Sequence, residues 1–129
     1  TGAQIKNLLE DIADNVFNSN PLYQQGGDMS RTLGLEYAIK ISAPTGQRIS
    51  DIKVNGKDLN PNRTYVVAAW GGNLYKMGKN SKKLRPAYEI TIDYIKRVKV
   101  VNPPLKSNVK IKDVECGCPT AEGKCLWKS

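Results

Sequence analysis

Residues 33–59 read LGLEYAIKISAPTGQRISDIKVNGKDL, and this stretch decides the fold. Leu33, Leu35, Tyr37, Ile39 and Ile41 fall on one side and Glu36 and Lys40 on the other, the two-residue period of a half-buried strand. The segment APTGQ turns the chain, and RISDIKV predicts a second strand. Asn55-Gly56 then gives a strong hairpin signal, because both residues accept the positive φ of a tight turn, before the short segment Lys57-Asp58-Leu59.

Upstream, TGAQIKNLLEDIADNVFNSNP places Ile5, Leu8, Leu9, Ile12, Val16 and Phe17 at the spacing of one buried helical face. Thr1 and Gln4 fit a capping box, and Asn18 to Pro21 stop the helix. Downstream, Asn60-Pro61-Asn62 breaks the chain, and the nearly continuous apolar run TYVVAAW (64–70) predicts a central strand covered on both faces. A glycine- and lysine-rich loop follows over 71–86, long enough to suggest a functional role. Pro86 suits the first turn of a second helix in which Ala87, Ile90, Thr91, Tyr94, Ile95 and Val98 share a face. In VVNPPLKSNVKIKDV (100–114), Pro103-Pro104 points to an extended segment along the surface. The expectation is an α+β domain, a mixed β-sheet flanked by helices, over residues 1–105, with an extended cysteine-containing tail over 106–129.

Composition narrows the chemistry. The formal net charge of +8 is uneven: residues 1–38 carry −3 and residues 39–129 carry +11. Fifteen of the twenty cations are lysines spread singly along the chain, which fits a solvated face better than a phosphate-reading groove. No apolar run approaches the roughly 18 residues of a membrane span. Histidine is absent, which removes the commonest general base and metal ligand and excludes a Ser-His-Asp or Cys-His pair within this chain.

Between the first helix and first strand lies QQGGDMSR, residues 24–31. Gly26 and Gly27 can take backbone angles closed to other residues and bring amides close to a small ligand. Arg31 adds a guanidinium suited to an oxyanion, whereas an acid such as Asp28, which repels an anion, is expected to brace the loop or orient Arg31. The alternative is structural: Gly-Gly-Asp as a plain turn, and Arg31 paired with a nearby acid.

The order of these segments, TGAQIKNLLE and then GGDMSRTLGLEYAIKISAPTGQRISDIKVNGKDLNPNRTYVVAAW, resembles the C-terminal domain of the 5'-nucleotidase family over about residues 1–100. Nucleotidases of that family present a base-stacking phenylalanine in a loop after the VA strand. Here the loop reads VAAWGGNLYKMG, and the single phenylalanine, Phe17, belongs to the first helix. By contrast, LEDIADNVFNSNPLYQQGGDMSRTLGLEYAI and the tryptophan after VA are similar to the SoxB branch, the thiosulfohydrolases of bacterial sulfur oxidation.

The resemblance implies a longer periplasmic hydrolase. A separate N-terminal metallophosphoesterase domain would hold two metal ions, assigned as manganese, and release sulfate from a cysteine S-thiosulfonate on the carrier SoxYZ. This chain would then be the non-catalytic substrate-channel domain, holding neither metal nor catalytic residues, with neither nucleic acid nor membrane among its partners. A start on a helix cap, without methionine, fits a segment of a longer protein. Gly26, Gly27, Asp28 and Arg31 would contact the substrate, and Trp70 would either line the channel or pack at a strand end. Two rival readings are a nucleotide-binding domain of a 5'-nucleotidase and a stand-alone basic module binding an acidic protein or nucleic acid.

Cys116, Cys118 and Cys125 close the chain. With three cysteines and no histidine, a four-ligand zinc site here would need a carboxylate or a second chain. In an oxidising compartment Cys125 could bridge to either Cys116 or Cys118, leaving one thiol.

Overall fold

The computed structural model describes residues 1–69, 85–102 and 107–113. These fall into two compact units, residues 1–66 with 107–113, and residues 67–69 with 85–102.

In the first unit, helix α1 spans Gly2–Phe17 and is capped as its sequence predicts: Thr1 and Gln4 form a reciprocal capping box. Strands β1 (Leu35–Ile39), β2 (Ile49–Val54), β3 (Lys57–Asp58) and β4 (Val109–Ile111) form one sheet in the order β3-β2-β1-β4. Strand β1 pairs antiparallel with β2 and parallel with β4, so the sheet is mixed. Asn55 and Gly56, at φ 50° and 76°, make the β2–β3 turn, as the Asn-Gly signal predicts.

The core lies between α1 and one sheet face: Leu9 and Ala13 meet Tyr37, Ile39, Ile49 and Ile52, with Ile5, Phe17, Met29 and Leu35 packed around them. The helix thus uses the line Ile5, Leu9, Ala13, Phe17, spaced four apart, and Leu8, Ile12 and Val16 stand beside it half-buried. Ala13, fully buried, lets the helix approach the sheet.

Polar side chains pin the helix in register. The buried Glu10 carboxylate accepts the backbone N–H groups of Arg48 (3.1 Å) and Ile49 (2.9 Å) and a hydrogen bond from Lys6 Nζ (3.2 Å). Beside it, Asp14 Oδ1 accepts from Arg48 Nη1 at 2.7 Å and Thr45 Oγ1 at 2.6 Å. The hydrogen bond from Thr45, then that from Arg48, lowers the Asp14 pKa from its ordinary value.

Three expectations are corrected, and one feature of β2 is new. The run 64–69 forms no strand: Val66 and Val67 are exposed, and β1 already has β2 and β4 on its two sides. It is the turn just ahead of this run, residues 61–63, that serves the helix start, Gly2 N donating to the Arg63 carbonyl (3.0 Å) and Ala3 N to that of Pro61 (2.9 Å). The segment read as a surface extension supplies β4, because Val109 and Ile111 alternate with Lys110 and both pack on the core. Leu33 is fully exposed, because Gly34 at φ 74° breaks the extended run before β1 begins. Finally, β2 carries a bulge at Asp51, φ 52°, where Asp51 and Ile52 stand opposite Tyr37 alone.

In the second unit, helix α2 (Ala87–Val98) follows Pro86 as predicted. Arg85 pairs with Asp93 at 2.7 Å and Glu89 at 3.4 Å. On the face that these apolar residues share, Ile90, Tyr94 and Ile95 are 45–53% exposed.

Candidate functional site

The loop between α1 and β1 begins as a series of side-chain-closed turns. Asn20 N donates to Asn18 Oδ1 at 2.9 Å, and Leu22 N to Asn20 Oδ1 at 3.1 Å. The 3-10 turn Pro21–Tyr23 follows, and Gln24 Nε2 reaches back to the Asn18 carbonyl at 2.6 Å. Up to Gln24 the chain is tied to itself.

Beyond Gln24 the ties stop. Gly26 and Gly27 stand at φ 82° and 103°, and a Cβ at either position would meet nothing within 4 Å. Their conformation is therefore open to glycine for backbone reasons, with space in front of the backbone left clear. No backbone N–H from Gln25 to Arg31 donates to any described residue. A run of amides that find no acceptor among the described residues is a set of donors for water or a ligand.

Gly26, Gly27, Asp28 and Arg31 all lie exposed on this loop. Among the described residues Arg31 forms no ion pair, so the structural alternative of a guanidinium neutralised by a nearby acid does not hold there. The bracing role expected of Asp28 is also absent: its exposed carboxylate bonds to neither the loop nor Arg31. The brace comes from the other side. Met29 packs against the core, Tyr37 Oη donates to the Ser30 carbonyl at 3.5 Å, and Asn108 Nδ2 donates to the Thr32 carbonyl. Thr32 Oγ1 in turn donates to the Leu35 carbonyl at 2.6 Å. Trp70 and the cysteines Cys116, Cys118 and Cys125 lie outside the described residues.

Sequence reading missed Tyr37 and Asn108 as supports of the loop. Tyr37 is legible only as a core residue, and Asn108 acts on Thr32 across 76 positions, a distance that no local pattern encodes. Phe17, packed against the core, is no stacking platform.

A groove of about 350 Å³ lies on the sheet face opposite α1, lined by Glu36, Asp51, Lys53, Asp58 and Lys110 over Ala38. Three carboxylates against two lysines, with Asp51 already tied to Lys112 at 2.8 Å, do not suit an anion, and no residue from Gly26 to Arg31 lines it. Among the described residues no three potential ligands cluster to hold a metal, so the two metal ions implied by the resemblance find no donor set there.

Comparison with known proteins agrees with this fold. The family model described as 5'-nucleotidase, C-terminal domain matches residues 1–81. Among solved structures, the Thermus thermophilus sulfate thiohydrolase SoxB, in complex with glycerol, is 46% identical with a TM-score of 0.82. The match covers 92% of this chain and 22% of that one, so the chain spans about a fifth of that protein's length. No curated protein matches.

Proposed function

We propose that this chain, which belongs to the 5'-nucleotidase C-terminal domain family, is of the SoxB branch and is the substrate-holding domain of a longer sulfate-releasing hydrolase. The substrate is a cysteine S-thiosulfonate carried on a SoxYZ-type protein in the periplasm. Hydrolysis breaks the bond between the sulfonate sulfur and the persulfide sulfur; water supplies the fourth sulfate oxygen and the persulfide takes up a proton. The loop Gly26–Arg31 holds the sulfonate oxygens, and Trp70 lines the approach. The metal ions, proposed as manganese, belong to the metallophosphoesterase domain of the same protein.

One observation carries this reading: the Arg31 guanidinium, which forms no ion pair among the described residues, shares a loop with consecutive amides that find no acceptor among them, and two glycines of that loop have clear space around them. A sulfonate is a compact tetrahedral anion with three acceptor oxygens, and it gains most from donors that are not already satisfied. Asp28 leaves Arg31 unneutralised, which keeps the positive charge available. The 46% identity to a sulfate thiohydrolase supports the same substrate class.

The complete protein, given a peptide bearing a cysteine S-thiosulfonate, should release sulfate, and Arg31→Ala should raise KM at least tenfold, the scale of one charge-assisted hydrogen bond. Unchanged kinetics in that variant would remove the loop from the site.

A further inference from the structure

Arg31 lies between two residues whose carbonyl groups are held from different parts of the sheet. On one side the Ser30 carbonyl accepts from Tyr37 Oη at 3.5 Å. On the other the Thr32 carbonyl accepts from Asn108 Nδ2. The two donors are themselves joined, since Tyr37 N donates to the Asn108 carbonyl at 3.0 Å. Met29, two residues before Arg31, is packed against the core.

This arrangement separates two tasks. Residues 25–28 have no hydrogen bonds to the other described residues, so none of those contacts fixes where Arg31 emerges. The fixed point is the short span Ser30 to Thr32, and β1 and the residue just before β4 supply it. Both donors are neutral. A carboxylate brace on the guanidinium would order Arg31 but cancel the charge an anion needs, whereas a phenol and an amide acting on the backbone order it and leave the charge intact. Tyr37 is 2% exposed, and burial pushes its phenol pKa up, which keeps the hydroxyl proton in place as a donor.

We propose that Tyr37 and Asn108 are positioning residues for the oxyanion site: by holding the carbonyls of Ser30 and Thr32 they set the direction in which Arg31 meets the sulfonate. The inference rests on the substrate reading of the loop given above. It makes a segment more than 70 positions downstream part of the site's machinery without contact with the substrate.

The test is a kinetic cycle in the complete protein with the S-thiosulfonate peptide, comparing Asn108→Ala, Tyr37→Phe, Arg31→Ala and the double variant Arg31→Ala/Asn108→Ala. Asn108→Ala and Tyr37→Phe should each raise KM about three- to tenfold, the scale of one lost neutral hydrogen bond, with kcat within about twofold. In the Arg31→Ala background Asn108→Ala should add less than about twofold, because its effect passes through Arg31. Should Asn108→Ala fail to fold, Tyr37→Phe keeps the buried ring and carries the same test. A raised KM in Arg31→Ala alone, with Tyr37→Phe and Asn108→Ala unchanged, overturns the positioning role and leaves the substrate reading standing. An Asn108→Ala effect that persists undiminished without Arg31 also overturns it. An Arg31→Ala variant with unchanged KM overturns the reading beneath it.

Discussion

Glu10 and Ile49 lie 39 positions apart, and the Glu10 carboxylate accepts the Ile49 backbone N–H at 2.9 Å. The same carboxylate accepts the N–H of Arg48, so one buried acid closes two backbone donors at the start of β2 and fixes the helix against the sheet. Glu10→Ala leaves both donors without a partner in a site water reaches poorly. It should destabilise the domain by about 2–4 kcal/mol, and Glu10→Gln, which retains one acceptor oxygen, by less. Chemical denaturation of the two variants checks the order.

The start of α1 offers a steric test. A Cβ on Gly2 would sit 2.2 Å from the Asn60 carbonyl oxygen, a backbone atom that also belongs to the turn closing on the helix. Gly2→Ala should therefore cost about 1–3 kcal/mol despite the higher helix propensity of alanine, because overpacking against backbone outweighs propensity. A neutral or stabilising effect on the thermal midpoint would refute the close contact.

Asp113 sets a pH dependence. Hydrogen bonds from Ser42, from its side chain and then its backbone, and from the Ile41 amide hold the Asp113 pKa down at about 2 against an ordinary 3.8. A carboxylate whose folded pKa is depressed stabilises the fold above its ordinary value, and that contribution fades as pH falls from 3.8 towards 2. Asp14 and Asp51, lowered likewise, act in the same direction. The gap in thermal midpoint between the native protein and Asp113→Ala should be widest above the ordinary value and shrink towards pH 2. A gap that is constant across this range would contradict the assignment.

Much of the first unit was legible because its signals are local and periodic. The capping box, the helix face, the alternation of β1 and the Asn-Gly turn each depend on residues a few positions apart. What escaped depends on distant chain. Strand β4 has three residues, too few for a period to stand out, and becomes a strand only because β1 offers it an edge. The apolar run 64–69 shows the converse: strong strand propensity without a free place beside β1. For the loop, glycine and arginine chemistry singled out the segment Gly26–Arg31, but Asp28 looked like the brace because it was near in sequence, whereas Tyr37 and Asn108 hold the loop in space.

Gly27 separates site geometry from stability. At φ 103° with clear space ahead, it has no steric conflict beyond the backbone angle itself. Gly27→Ala should cost about 1–2 kcal/mol through that angle, and should also raise KM for the S-thiosulfonate substrate as the amides on either side turn away. Loss of stability with an unaltered KM would place Gly27 outside the substrate site.

The central claim is that Arg31 and its neighbouring amides seat a small tetrahedral oxyanion, and direct binding tests it without depending on turnover. Inorganic sulfate, the proposed product, can be titrated calorimetrically into the complete protein and into its Arg31→Ala form, with circular dichroism showing both folded. The account predicts saturable sulfate binding that weakens about tenfold or more in the variant, the loss of one charge-assisted contact. Equal affinity in the two folded proteins would contradict it.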